Sequence, residues 1–85
     1  MSMLAKIERH SALVNRMGEV TGADFVTGMT TGEISETDLR RSVVNCMRCE
    51  MAGPCEDWLD ETGDGPAAAP EYCRNKALMD RLSAL

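Results

Sequence analysis

The stretch SETDLRRSVVNCMRCEMAGPC, Ser35 to Cys55, decides where the central helix of this chain lies and what it carries. Ser35 with Asp38 three residues on is a near match to a capping box, with Asp in place of the commoner Glu or Gln, just ahead of an apolar periodic run. A helix therefore starts here. Leu39, Val43, Cys46 and Met47 continue one face while Arg40, Arg41 and Arg48 lie mostly on others, which predicts a helix to about Glu50. Gly53-Pro54 breaks it and suits entry to a third, short helix, with Pro54 near the first turn and Cys55, Trp58 and Leu59 on one side.

Upstream, Leu4, Ile7, Val14 and Met17 share one helical face, predicting an amphipathic helix over residues 3–20, with His10 on its polar side, exposed and without function. Gly22, Gly28 and Gly32 then make 21–33 a connecting loop or short turn, with Phe25, Val26 and Met29 tucked onto the core. Downstream, Thr62 to Pro70 has the Gly, Pro and Ala composition of a plain connector. Asn75 caps a last helix whose apolar stripe is Leu78, Met79, Leu82 and Leu85, with Lys76 and Arg81 facing water. The fold class expected is all-α: one domain over 1–85, a small bundle of three to four helices in which a four-cysteine site joins the central turn to the C-terminal helix.

Only 4% of the 85 residues are aromatic, so the core must be built from Leu, Val, Ala and the seven Met residues. A chain this short buries a smaller share of its surface than a large protein does, and an additional staple helps it. The net charge of -5 is unevenly placed: Glu50 to Asp64 holds six carboxylates and no cation. Such a surface repels phosphate backbones and argues against nucleic acid as partner. Lys6, Glu8, Arg9 and His10 interrupt any signal-peptide core, and no apolar run approaches the roughly 18 residues that cross a bilayer. The expectation is a cytoplasmic protein with no membrane association, a compartment that keeps thiols reduced.

The four cysteines follow the pattern C-x2-C-x5-C-x17-C. Thiols three residues apart on a helix share a face, with Cβ atoms roughly 5–6 Å apart. A Gly-Pro turn returns Cys55 toward that end of the helix, and a loop delivers Cys73. Cys46, Cys49, Cys55 and Cys73 are thus candidate metal ligands, with Arg48 and Arg74 placed to lower thiol pKa values and donate to sulfur. An all-sulfur set suits structural zinc, the cofactor favoured here, or a four-iron four-sulfur cluster, and not an open catalytic zinc. Disulfides, a reversible dithiol switch or unligated buried thiols are the alternatives.

The run CMRCEMAGPC, Cys46 to Cys55, resembles the C-x2-C-x5-C end of the iron-sulfur loop in endonuclease III type DNA glycosylases. The remaining cysteine of that loop lies upstream in the glycosylases and downstream here, and their helix-hairpin-helix with its catalytic Asp has no counterpart, so glycosylase activity is not implied. Cys46, Cys49 and Cys55 with Trp58-Leu59, then Pro70-Glu71-Tyr72-Cys73-Arg74-Asn75 before a Leu-rich helix, resemble an uncharacterised family of small bacterial four-cysteine proteins, a domain of unknown function. This similarity implies that the four cysteines act as a unit and supplies no activity.

The functional expectation is a non-enzymatic accessory or regulatory protein that binds a protein partner, with Trp58 as either an anchor between helices or a partner-facing residue. Homo-oligomerisation through the first and last helices is a further option. The rival is a small redox protein, an iron-sulfur electron carrier or a thiol-disulfide sensor using Cys46 and Cys49. The acidic side chains Glu56, Asp57, Asp60 and Glu61 read as a solvated helix face, and Asp60, Asp64 and Gly65 depart from calcium-loop spacing.

Overall fold

A computed structural model describes residues 2–85. Five helices follow one another: α1 Met3–Thr21, α2 Phe25–Thr30, α3 Glu36–Arg48, α4 Ala52–Thr62 and α5 Lys76–Ser83. The architecture is all-helical, as expected. Helix α1 is the spine against which α3, α4 and α5 pack. Among the described residues no helix is long and apolar enough to cross a membrane.

Ser2 starts α1 by accepting the Ala5 N–H at 3.1 Å, and Gly22 ends it at φ 78°, where a side chain would be strained. Its buried residues His10, Leu13, Val14, Met17 and Val20 recur at steps of three or four, one stripe of a helix. Leu4 and Ile7, assigned by periodicity to the same stripe, lie on turns that protrude past the core and are exposed. His10, read as exposed, is buried. It stands three and four residues ahead of Leu13 and Val14, so its place on the inward face follows from the same periodicity.

The expected loop at 21–33 contains α2, capped by the Asp24 carboxylate on the Thr27 N–H at 2.9 Å. Gly28 lies inside that helix despite its poor propensity because a Cβ there would come within 2.7 Å of Leu82. Close approach to α5 and Ile34 outweighs the helix penalty. Phe25 packs against the core, but Val26 and Met29 face solvent.

The capping box that begins α3 is present in full. Ser35 Oγ accepts the Asp38 N–H at 3.1 Å, and the Asp38 carboxylate accepts the Ser35 N–H at 2.9 Å. These backbone donors hold the Asp38 carboxyl below its ordinary pKa. Ser35→Ala is expected to cost about 1 kcal/mol, read as a fall in thermal midpoint of roughly 4–8 °C by circular dichroism.

In α4 the first turn holds Gly53 and Pro54, where a missing N–H leaves no bond unmade. Two ion pairs tie this helix to α1, Arg9 with Glu56 at 2.6 Å and Arg16 with Asp60 at 3.0 Å. Both are solvent-exposed and set the relative placement of the helices more than their stability. The segment Thr62 to Pro70, expected to be a mere connector, is instead packed. Ala69 is buried, the Ala67 N–H donates to the Val20 carbonyl at 3.0 Å, and Lys76 Nζ donates to the Ala69 carbonyl at 3.0 Å. Alanines can fill space between backbones that larger side chains would hold apart. Lys76 is accordingly half-buried rather than facing water, while Leu85 falls outside the core and is exposed.

Candidate functional site

All four cysteines line one small cavity of about 30 Å³, whose walls also include Val14, Met17, Tyr72, Arg74 and Met79. Cys46 comes from α3, Cys49 from the residue that ends it, Cys55 from α4, and Cys73 from the segment before α5. The sequence separation of these positions is erased because α3, α4 and α5 all lie against α1. Each thiol is half-buried.

Sharing a cavity is not the same as forming a coordination sphere. Among the described residues, no three His, Cys, Asp or Glu side chains stand close enough together to hold an ion. The four-cysteine site that was expected to join the central turn to the last helix is therefore corrected: the thiols are not clustered. Two of the thiols have local partners of their own. Cys49 Sγ faces the Tyr72 carbonyl at 3.9 Å, and Cys46 Sγ lies 3.3 Å from His10 Nδ1.

That second contact brings in His10, expected on the polar side of α1. His10 reaches Cys46 from α1, 36 positions away. Burial, then the neighbouring cations Arg9 and Lys6, lower the pKa of the imidazole, so it is held neutral. A neutral imidazole either donates to sulfur or accepts from the thiol, according to tautomer.

Burial pushes the Cys46 thiol up to about 11, and the other three cysteines push in the same direction. Cys55 is likewise raised to about 11, first by burial and then by the proximity of Cys73 and Cys49. Burial also raises Cys73, against a backbone hydrogen bond from Asn75. The arrangement thus favours thiols over thiolates, the reverse of the lowering expected from Arg48 and Arg74. The cations that oppose the rise are Arg9 for Cys46, Arg16 for Cys55 and Lys76 for Cys73. Arg48 is exposed, whereas Arg74 does line the cavity. A linkage consequence follows for the metal-free chain. The folded-state pKa lies above the ordinary 9.0, so this contribution to stability is intact below pH 9 and lost as pH rises through about 11. The urea midpoint is expected to fall across that window, and less so in Cys46→Ala.

Asn75 occupies the N-cap position of α5 without capping it through its side chain. Its amide is buried and donates to the Ser42 carbonyl at 2.8 Å, while its side-chain oxygen accepts from Asn45 at 3.2 Å. A helix carbonyl has a second lone pair free for such a bond. This clamp holds the start of α5, and with it Cys73, against α3. Trp58 is half-buried and packs on the core, the position of an anchor between helices.

The match to a known family spans the entire chain, residues 1–85, and the description of that family is a family of unknown function, DUF6455. The chain belongs to the DUF6455 family. No curated protein and no solved structure matches it. Membership agrees with the resemblance carried by the cysteines, Trp58 and Asn75, and for this DUF6455 member the cavity shared by its thiols is the feature on which a functional reading has to rest.

Proposed function

We propose that this protein is a non-enzymatic accessory or regulatory protein in which Cys46, Cys49, Cys55 and Cys73 take up one metal ion, with zinc ahead of a four-iron four-sulfur cluster. The observation that carries this reading is that four thiols from three parts of the chain, the end of α3, α4 and the segment before α5, line a single cavity of about 30 Å³. A water needs roughly 10–15 Å³, so one ion is accommodated, whereas a cubane cluster requires the lining to move apart. Rotation of each thiol about its Cα–Cβ bond changes where sulfur points without moving the backbone. The donor chemistry fits a soft or borderline cation, and a bound metal removes the thiol proton outright, offsetting the burial that keeps it on. His10 would hold Cys46 in orientation. The ion would serve structure, tying α3, α4 and α5 together beneath α1.

The shift at Cys46 weighs against the thiol-disulfide form of the redox alternative. A thiol-disulfide sensor built on Cys46 and Cys49 works through a thiolate at neutral pH, and Cys46 at about 11 is the opposite of activated. A protein partner would find an apolar face at Met3, Leu4 and Ile7 on the protruding turns of α1. The test is elemental analysis of protein prepared without oxygen: about one zinc per chain in a colourless protein is expected, abolished by replacing the four cysteines with serine. Brown protein containing iron would move the assignment to a cluster. Metal content unchanged by those substitutions would overturn both.

A further inference from the structure

A second concavity, of about 210 Å³, lies between α3 and α5 and carries a charge opposite to that of the protein as a whole. Arg41, Arg74 and Arg81 line it, with Asp38 as the one carboxylate among them. Three guanidinium groups thus gather in one groove of a chain whose net charge is -5. Among the described residues the guanidinium groups of Arg41 and Arg74 have no ion pair, and Arg81 has only Glu33, at 3.6 Å. Asp38 accepts from the Ser35 N–H and its charge acts on Arg41 and Arg81, so one carboxylate faces three guanidinium groups and leaves the groove with an excess of positive charge. The groove also has a built floor: Ser42 and Asn75 are both buried, and Asn75 is bonded to the Ser42 carbonyl at 2.8 Å.

We propose that this groove is a binding site for a phosphoryl dianion, held by the guanidinium forks of Arg41, Arg74 and Arg81. Planar forks match the oxygens of a phosphate in pairs, and like-charged forks brought together in one groove are stabilised when a dianion sits between them. The size selects the class of ligand. At about 210 Å³ the groove is smaller than the roughly 300–1,000 Å³ of pockets that enclose a drug-sized molecule, so it takes the phosphoryl group and leaves any organic remainder outside. Nucleic acid is disfavoured by the acidic surface beyond the groove. This site does not depend on metal binding, although Arg74 and Asn75 line both cavities.

The experiment is a titration of the full chain with inorganic phosphate, and separately with glycerol phosphate, against sodium chloride at matched ionic strength, followed by amide chemical shifts. Saturable shifts at Arg41, Ser42, Arg74 and Asn75 are expected, with affinity about tenfold or more weaker in Arg41→Gln and in Arg74→Gln. Arg40→Ala, which removes a neighbouring arginine already paired with Glu36, is expected to leave affinity within about twofold. Tighter binding of glycerol phosphate assigns an organic monoester, and equal binding assigns the free ion; either supports the site. Should Arg74→Gln not fold, Arg74→Lys and Arg81→Lys keep the charge and lose the fork, and weaker binding in them supports the proposal. Shifts indistinguishable from those of chloride, or unchanged affinity in a folded Arg41→Gln/Arg74→Gln double variant or in both lysine variants, overturn it.

Discussion

Truncation of Leu59 or Met79 to alanine is expected to cost about 2–5 kcal/mol apiece, because each deletes several methylene-sized groups from a position that solvent does not reach. Both side chains are 0% exposed, Leu59 on α4 and Met79 on α5, and both belong to the same core as Leu13, Val14 and Met17 of α1. A domain of this size is held by only about 0.05–0.15 kcal/mol per residue, so either loss removes a large share of its stability. Thermal midpoints should fall by more than about 10 °C, since one kcal/mol moves a domain of 60–100 residues by roughly 4–8 °C. Val26→Ala is the matched control, because Val26 is 76% exposed and surface changes of this kind stay within about 0.5 kcal/mol. Urea denaturation of the three variants decides the matter, and midpoints equal to the parent for Leu59→Ala and Met79→Ala would show that this core is wrongly drawn. Met79 has a second consequence. It lines the cysteine cavity, so Met79→Ala should enlarge the space beside the thiols as well as weaken the core.

The apparent zinc affinity is expected to climb at least a thousandfold for each pH unit between about pH 6 and pH 8, the steepest response this chain should show. Cys46 and Cys55 are pushed to about 11 and Cys73 is raised, so each holds its proton at neutral pH and must release it to bind the ion. Every displaced proton adds one power of ten per pH unit, and the sign is fixed: protons compete, so affinity falls as pH falls. The neutral imidazole of His10 adds nothing to that count whether it coordinates or supports Cys46. A slope of three or more is therefore expected from Cys46, Cys55 and Cys73 alone. At free zinc a thousand times the dissociation constant, binding contributes about 4 kcal/mol, which a strong chelator should remove as a drop of roughly 15–30 °C in thermal midpoint. Competition with a chromophoric chelator across pH measures the slope. A flat profile, or one that Cys73→Ser leaves unaltered, would sink the proposed ligand set.

Much of the helical framework was legible because its signals are local. Ser35 and Asp38 sit three apart, and that spacing alone closes the capping box that starts α3. Pro54 reads correctly as a first-turn residue of α4 because the requirement concerns only its own nitrogen and ring. Gly28 was misread for the complementary reason: its role is to admit Leu82, 54 positions later, and no local rule contains that neighbour. Asn75 likewise stands where a cap would stand, yet spends its amide on Ser42 of α3. The candidate site was legible as a set of residues and illegible as a geometry. Spacing brought the four cysteines together in principle, but the contact of Cys46 with His10 and the inward burial that raises the thiols depend on how α1 lies across the other helices.

By itself the sequence determined the class of fold, the starts and stops of the main helices, the acidic balance of the second half and the identity of the four thiols, since each of these is a property of residues within a turn or two of one another, or of composition alone. Only the tertiary structure decided which of those features meet. Packing α3, α4 and α5 on α1 placed four separated cysteines around one cavity, buried His10 beside the first of them, and gathered Arg41, Arg74 and Arg81 into a second groove. The physical reason is that hydrogen-bonded turns and caps act over a few residues, whereas apolar burial joins whichever faces fit, without regard to distance along the chain.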